Sequence, residues 1–268
     1  MSFILELYRY LFARPCFARF NHLLHRLSLS GLGILNFEDS RISGEKTFLT
    51  GYLSGLSSGI VLDVGANIGR YSSEVLAINP RLKVHAFEPH PRNYQRLVDN
   101  ITHPHCHPVN AAVGNEAGSL VLYDYEQDDG STHASLYRQV IEEIHQSRAT
   151  THQVTVIKLD SYLTDQGIHD IDLLKIDTEG NEFAVLQGLQ QHLSNDRIKA
   201  IHFEFNEMNI VSRVFFKDFW DLLPNYQLYR LLPKAMVPIS RYNPLTCELF
   251  AYQNIIALLK TPPRQGHK

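Results

Sequence analysis

The sequence predicts an α/β fold, a three-layer sandwich in which helices cover both faces of a mostly parallel sheet. Short apolar runs alternate along the chain with stretches whose apolar residues recur at helical spacing, which is typical of βα units. The runs at 60–62, 82–87 and 171–176 end in Asp63, Glu88 and Asp177. Because the carboxyl ends of parallel strands line the ligand crevice, these acids are expected at one edge of the sheet.

Composition limits the classes of protein that fit. The chain has 268 residues, 44% hydrophobic and 20% charged, which is enough for one sizeable core. A net charge of −3 gives no overall positive field, so no nucleic-acid partner is expected. Cys16, Cys106 and Cys247 form no C-x-x-C pair, which argues against a disulfide framework. We therefore expect a cytoplasmic protein.

Residues 1–40 are predicted to be an N-terminal helical extension, with Pro15 dividing residues 2–27 into two short helices. Charged residues interrupt each apolar run, which argues against a membrane span. Two interpretations remain open for these helices. The favoured one is that they pack on the following domain, residues 41–260, and cover its cleft. The other is a basic amphipathic surface that makes a peripheral contact with anionic membrane.

Residues 59–69, GIVLDVGANIG, predict a strand, a glycine turn and a helix that begins near Tyr71. A short helix is predicted before them, and its charges at Glu45 and Lys46 are expected to be solvated. Gly65 and Gly69 lack a Cβ atom, so a ligand can approach the turn and the free N–H groups of the helix. Glu88 and Pro89 end the next strand, where a carboxylate can accept hydrogen bonds from a ribose diol. A nucleotide-type ligand fits this pair of features.

The identity of that ligand depends on Asp63 and Asn67. A dinucleotide fingerprint has a glycine where this turn has Asn67, and the Asp63 carboxylate would repel a pyrophosphate. A carboxylate suits a ligand that carries an ammonium and a sulfonium group. The turn therefore favours S-adenosylmethionine over NAD.

Several segments together resemble the FkbM-type methyltransferases. The segments are DVGANIG at 63–69, FEP at 87–89, NAAVG at 110–114, LDSYL at 159–163 and, most specifically, LLKIDTEGNEFAVLQG at 173–188. The resemblance covers about residues 40–210. It implies a Rossmann-like class I methyltransferase sandwich whose seven-stranded, mostly parallel sheet ends in an antiparallel hairpin. It also implies S-adenosylmethionine as cofactor and an acceptor that is often a sugar or natural-product hydroxyl.

The middle of the chain supplies the rest of the expected cofactor pocket. Resemblance to the family makes the segment from Asn110 through Ala112 to Val113 the adenine wall. Residues 119–125 and 153–159 alternate apolar and polar side chains and predict an antiparallel pair. The polar stretch between them, 126–151, is interpreted as an acceptor-binding lid, with a surface loop as the alternative. Asp160 is expected to cap the helix 162–166.

Three acids are the candidate catalytic residues: Asp177, Glu179 and Glu204. Asp177 and Glu179 follow a strand and should face the methyl donor, and Glu204 shares a face of the next strand with His202 and Asn206. An alcohol acceptor needs a base or a divalent ion to lose its proton, so these acids favour a hydroxyl acceptor. A metal at this oxygen-rich edge is an alternative but not the favoured one. Lys175 is expected to pair with a nearby acid.

The last elements predicted are a helix over 211–223 and strands over 226–232 and 247–259, joined by a loop at 233–246. The tail 261–268 is expected to be disordered. The predicted function is S-adenosylmethionine-dependent O-methylation of a sugar, glycan or natural-product hydroxyl. Methylation of a carboxylate or a nitrogen, and nicotinamide-dependent oxidoreduction, remain as alternatives.

Overall fold

The computed structural model describes residues 2–127, 130–131, 134–144 and 146–260. The described strands are β1 (Gly59–Val64), β2 (Leu82–Phe87), β3 (Cys106–Val109), β4 (Ala112–Val113), β5 (Gly118–Tyr125), β6 (Ala149–Ile157), β7 (Leu173–Ile176), β8 (Ala200–Phe205), β9 (Tyr226–Leu232), β10 (Ala235–Ile239) and β11 (Gln253–Leu259). The described helices are α1 (Ser2–Phe12), α2 (Ala18–Gly31), α3 (Glu45–Leu53), α4 (Arg70–Ile78), α5 (Pro91–Asn100), α6 (Leu159–Asp165), α7 (Glu182–Gln187), α8 (Gln190–Ser194), α9 (Met208–Ser212), α10 (Phe216–Leu222) and α11 (Pro244–Cys247).

The main sheet has the strand order β3-β2-β1-β7-β8-β11-β9-β10. The pairings from β3 to β8 are parallel, and those of β11 with β8 and β9 are antiparallel. The predicted fold class, with its antiparallel final hairpin, is therefore confirmed. The sheet has eight strands rather than seven, because β10 adds an antiparallel edge strand within the predicted loop 233–246.

Alternate residues of the central strands divide the core into two clusters. Leu62 of β1 packs in one cluster with side chains of α6, α7 and α10, and Val61 packs in the other with side chains of α3, α4 and α5. Because successive side chains of a strand point to opposite faces, each face carries its own helical layer. The result is the three-layer sandwich predicted from the sequence.

A second sheet, β4-β6-β5, extends from the main one. Residues of β5 pair antiparallel with β6, as the alternation of residues 119–125 and 153–159 predicted. Strand β6 begins earlier than expected, at Ala149, and ends at Ile157.

The structure corrects three predictions: one helix, one strand and one helix cap. The helix over 211–223 is two helices, α9 and α10, because Arg213 has a left-handed φ of 56° between them. Strand β11 begins at Gln253, since residues 244–247 form α11, whose first turn is capped by the Asn243 side chain. Asp160 caps a different helix: its carboxylate accepts hydrogen bonds from the Gln191 backbone N–H and from His192, at the start of α8.

The N-terminal extension forms two helices, and a short 3₁₀ turn at Pro15–Phe17 separates them as predicted. The favoured interpretation, that these helices pack on the domain, is wrong for residues 3–28, none of which is buried. In the part of the chain that the structure describes, no helix is both long and apolar enough to span a membrane. The predicted disordered tail, 261–268, lies outside the described residues.

Candidate functional site

A pocket opens at the carboxyl ends of β1, β2 and β7. It is lined by the glycine turn, the Glu88–Pro89 segment, residues 111–113 after β3, the turn after β7 and parts of the segment between β5 and β6. Of the predicted site residues, the pocket lining includes Gly65, Asn67, Glu88, Pro89, Ala112, Asp177 and Glu179. It does not include Asp63, Gly69, Asn110 or Glu204.

The glycine turn is shaped by close backbone packing. Gly65 has φ +83°, and a Cβ atom there would lie 1.7 Å from the Asp177 carbonyl oxygen. Gly69 has φ +85°, and a Cβ atom there would lie 2.6 Å from side-chain carbons of Leu97 and Ile101. Both glycines are therefore needed for chain packing, and Gly65 also lines the pocket. Asn67 between them holds a left-handed φ of 50°.

Glu88 joins the glycine turn to the start of α5. Its Oε2 accepts a hydrogen bond from the Asn67 backbone N–H at 2.8 Å, and its Oε1 accepts one from the His90 backbone N–H at 2.7 Å. Burial raises the pKa of Glu88 to about 7, although these two hydrogen bonds oppose the shift. Asn110 is not part of the pocket lining, and its side-chain amide donates to the carbonyl oxygens of Glu88 and Pro89. Asn110 therefore positions this segment.

Asp63 lies below the pocket rather than in its wall. It is 1% exposed, and its Oδ2 accepts a hydrogen bond from the Ser72 hydroxyl at 2.5 Å. Burial raises the pKa of this carboxyl. Asp63 is paired in register with Lys175 of β7, so the two side chains share one face of the sheet.

Lys175 makes the predicted ion pair. Its Nζ lies 2.9 Å from Asp177 Oδ2, and the lysine side chain is only 4% exposed. Burial favours the neutral amine, but the carboxylates of Asp177, Glu204 and Glu45 raise the pKa of Lys175 above its usual range. The buried cation therefore offsets part of the negative charge at this edge of the sheet.

Glu204 lies on β8, the strand next to β7, close to Asp177. Its pKa is raised well above the usual value, by burial and then by the charge of Asp177. The Asn206 amide lies 3.5 Å from Glu204 Oε2, as their shared strand face predicted. In the described part of the chain, no group of three or more His, Cys, Asp or Glu side chains is arranged to hold a metal ion.

A hydrogen-bonded row of side chains that the sequence analysis did not find lies beside these acids. The row runs from the Tyr71 hydroxyl to His202 Nδ1, from His202 Nε2 to Asn254 Oδ1, and from Asn254 Nδ2 to the Tyr252 hydroxyl. Burial lowers the pKa of His202 to about 3, so the imidazole is neutral. Lys175 Nζ lies 5.5 Å from the centre of the Tyr71 ring. Tyr71 lies on α4, His202 on β8, and Asn254 near the start of β11, so the row joins segments that are far apart in the sequence.

Glu45 interacts with the charges of Lys175 and Asp177, so the expectation that its own charge is solvated is wrong. It stands in the first turn of α3, and burial raises its pKa to about 7. We refer to four residues as the acidic cluster: Asp177, Glu204, Glu45 and Lys175. An isolated glutamate before an apolar pair carries no local signal that it will face other acids.

The turn after β7 is held by a residue that the sequence analysis also missed. Glu182 Oε1 accepts hydrogen bonds from the Thr178 backbone and hydroxyl and from the Gly180 backbone. This fixes Glu179 with a left-handed φ of 53° at the pocket wall. Asp177 and Glu179 therefore stand at the pocket on a turn that side-chain hydrogen bonds hold in place.

Part of the predicted lid borders the pocket. Ser131, Ala134 and Leu136 line it, and the Ser131 carbonyl oxygen accepts hydrogen bonds from the side chains of Asn67 and Asn93. The Ser135 hydroxyl donates to the Glu179 carbonyl oxygen at 2.7 Å. The described part of this segment is thus tied to both the glycine turn and the turn after β7.

The fold is a Rossmann-like α/β domain with a pocket at the carboxyl ends of its central parallel strands. The model of the methyltransferase FkbM domain matches residues 63–231. The chain therefore belongs to the FkbM methyltransferase family.

Relatives that are named methyltransferases support this assignment. The chain is 23% identical over 186 residues to the 2-O-methyltransferase NoeI of Sinorhizobium fredii, covering 66% of this chain and 76% of that protein. It is 30% identical over 154 residues to the 31-O-demethyl-FK506 methyltransferase FkbM of Streptomyces tacrolimicus, covering 49% of this chain and 59% of that protein. It is 28% identical over 160 residues to methyltransferase sdnD of Sordaria araneosa, covering half of this chain and 62% of that protein.

The chain therefore spans about three fifths of the length of the last two relatives. Among solved structures, it is similar to a precorrin-6y C5,15-methyltransferase from Geobacter metallireducens, with 12% identity and a TM-score of 0.44 over 80% of this chain and 87% of that one.

Proposed function

We propose that this protein is an S-adenosylmethionine-dependent O-methyltransferase that acts on a hydroxyl of a sugar, glycan or natural product. The observation that carries the proposal is the position of Asp177, which belongs both to the pocket lining and to the acidic cluster. A methyl donor in the pocket would therefore lie next to groups that can bind and deprotonate an acceptor.

The residues of the pocket fit S-adenosylmethionine. Glu88 offers two carboxylate oxygens to a ribose diol, and Ala111, Ala112 and Val113 offer an apolar wall to an adenine ring. The Asp177 carboxylate suits an ammonium group. Asn93 Oδ1 is one of the described buried oxygens without a hydrogen-bond partner, and its residue lines the pocket, so a ligand donor has an acceptor there.

The bound donor supplies a methyl group already activated by its positive sulfur, so the protein has to align the acceptor oxygen and remove its proton. Glu204 is proposed as the general base, because burial and the charge of Asp177 raise its pKa, which makes its carboxylate a stronger base. Lys175 holds the Asp177 carboxylate in place. Glu179, fixed on its turn, is proposed to bind the acceptor at the pocket rim.

A hydroxyl acceptor is favoured by these acids and by the names of two relatives. NoeI is named a 2-O-methyltransferase, and FkbM is named a 31-O-demethyl-FK506 methyltransferase. A carboxylate acceptor would need no base. A neutral amine depends on a base less strongly than an alcohol does. A nicotinamide cofactor is disfavoured, because a pyrophosphate at the glycine turn would meet the Glu88 carboxylate, which already occupies the Asn67 N–H.

The cofactor is tested by a thermal-shift titration with S-adenosylhomocysteine and, in parallel, with NADH. A ligand at 100 times its dissociation constant raises the free energy of unfolding by about 2.7 kcal/mol. This corresponds to a rise in the unfolding midpoint of roughly 5–10 °C. We expect this rise with S-adenosylhomocysteine alone. A rise with NADH alone would refute the proposed cofactor.

The reaction is tested with labelled methyl donor and a screen of hydroxyl acceptors. Glu204→Gln is expected to lower kcat at least about 100-fold, the contribution typical of a general base, while the affinity for S-adenosylhomocysteine is kept. Glu116→Gln, an exposed glutamate, serves as the matched control. Wild-type kcat/KM should rise with pH as the base loses its proton, whereas a rate without this dependence would favour a carboxylate acceptor. Activity lost with EDTA and restored by a divalent ion would instead support the metal alternative.

A further inference from the structure

Helix α1 carries an exposed apolar stripe. Its members recur at spacings of three and four residues and are 42–74% exposed: Phe3, Ile4, Leu7, Tyr10 and Leu11. The other face of α1 contacts α2, since the Tyr8 hydroxyl donates to Asn21 Oδ1 and the Asn21 side-chain amide donates to the Phe12 carbonyl oxygen at 3.1 Å. The stripe is therefore not used in the contact between the two helices.

Helix α2 carries a second exposed stripe, formed by four residues that are 38–60% exposed: Phe20, Leu23, Leu24 and Leu27. Two helices that each leave an apolar face in water are unusual in a soluble domain, and exposed apolar surface of this extent marks an interaction site. Residues 2–31, the N-terminal hairpin, thus form an amphipathic unit whose apolar faces the rest of the described chain does not cover.

The charge of the hairpin differs in sign from that of the whole chain. It contains four arginines, Arg9, Arg14, Arg19 and Arg26, and one acid, Glu6, which give a formal charge of +3, whereas the chain as a whole carries −3. Arginine stems can lie along an apolar surface while their guanidinium groups reach a charged layer. Two copies of the hairpin face to face would bring like charges together, which disfavours self-association.

The hairpin joins the domain at the edge of the sheet that holds the acidic cluster. Ile34, fully buried, forms a bridge with Gln253, and the Leu35 backbone N–H donates to the Tyr252 carbonyl oxygen at 2.8 Å. Gln253 pairs in register with Phe205, at the carboxyl end of β8. The anchor therefore lies next to the acidic cluster, at the same edge of the sheet.

We propose that the N-terminal hairpin binds the surface of an anionic lipid bilayer, with its apolar stripes in the interfacial region and its arginines against the headgroups. Apolar area and cationic side chains are the two terms that hold a peripheral helix on such a surface. The aromatic side chains of Phe3, Tyr10 and Phe20 suit the boundary between headgroups and acyl chains. Binding of the hairpin does not depend on the proposed reaction.

The test is co-sedimentation of the full chain with vesicles of phosphatidylglycerol and phosphatidylcholine, compared with phosphatidylcholine alone. We expect binding to the anionic vesicles that weakens with added salt. The variant Ile4→Ser, Leu7→Ser, Leu11→Ser should lose it. Replacing one arginine, as in Arg9→Gln or Arg19→Gln, should weaken partitioning onto the anionic vesicles about fivefold.

The control is Leu245→Ser, which removes a side chain of α11 that is 84% exposed and should leave vesicle binding unchanged. Circular dichroism and the unfolding midpoint show whether each variant is folded. Equal binding by the triple-serine variant, or no binding by the wild type, would overturn the proposal. The proposal would also be overturned if the wild type did not bind the vesicles but formed a dimer in sedimentation velocity, and the triple-serine variant did not form that dimer.

Discussion

Glu88 connects the glycine turn to the start of α5 through its side chain. Its two oxygens accept backbone hydrogen bonds from two separate segments, the glycine turn and the start of α5. A ligand diol would use the remaining acceptor capacity of the same oxygens. One carboxylate is therefore proposed to serve both ligand recognition and local rigidity.

The variant Glu88→Gln tests whether Glu88 takes part in ligand binding. The amide nitrogen of Glu88→Gln cannot accept a hydrogen bond, so one backbone N–H would lose its partner in a buried place at a cost of about 1–3 kcal/mol. We expect weaker S-adenosylhomocysteine binding, by about 10- to 100-fold in isothermal titration calorimetry. Binding equal to that of the wild type would exclude Glu88 from the ligand site.

Glu45 gives a prediction about stability and pH. Its pKa is about 7 in the folded protein and near 4.5 when unfolded, so its protonated form stabilises the fold below pH 4.5 and that contribution is lost as the pH rises to about 7. Glu45→Gln mimics the protonated form. Urea unfolding should show no gain over the wild type below pH 4.5 and a gain of about 1–2 kcal/mol at pH 8.

The comparison for this prediction is Glu116→Gln, which removes an exposed carboxylate. Its difference from the wild type should change little over the same pH range. A gain for Glu45→Gln that stays constant from pH 4.5 to 8 would show that the carboxylate is not the cause.

At the scale of elements, the glycine turn connects β1 to the end of β7. A Cβ atom at Gly65 would lie 1.7 Å from the Asp177 carbonyl oxygen, and the backbone there is left-handed. Gly65→Ala should therefore lower stability by more than about 2 kcal/mol and displace Asp177. Gly51→Ala is the matched control, because Gly51 lies inside α3 with no atom near its Cβ position and alanine should add about 0.5–1 kcal/mol. Both changes are measured by urea unfolding.

The elements also show which parts of the structure could be predicted from the sequence. Local patterns were enough for β1, α4 and the β5–β6 pair, because each has its own periodicity and turn residues. Strand β10 could not be recognised, since Pro238 interrupts its five residues and an edge strand tolerates such an interruption.

The candidate site could be predicted only in part from the sequence. The acids at strand ends follow from local sequence, and the structure brings most of them to the pocket. His202 was placed on the same strand face as Glu204, but Asn254 and Tyr252 could not be assigned there, because their proximity depends on the register of β11 with β8. Glu45 could not be assigned there either, because it lies on α3, outside the sheet. Asp63 was expected in the pocket wall, but alternation along β1 turns it toward Ser72 of α4.

At the scale of the whole molecule, the N-terminal hairpin contributes surface rather than core. None of residues 3–28 is buried, whereas Leu29, Ile34 and Asn36 are buried. Stability should therefore depend on the anchor and not on the helices that precede it.

Two truncations test this division. Removing residues 1–28 should change the unfolding midpoint by less than about 2 °C, because little apolar surface leaves the core. Removing residues 1–36 also deletes Ile34, which is fully buried beside Gln253, and should cost about 2–5 kcal/mol and lower the midpoint by at least about 5 °C. Calorimetry of both proteins without lipid provides the measurement. A large drop with the shorter truncation would mean that the hairpin is part of the folded domain, and its apolar stripes would then need an explanation other than the membrane.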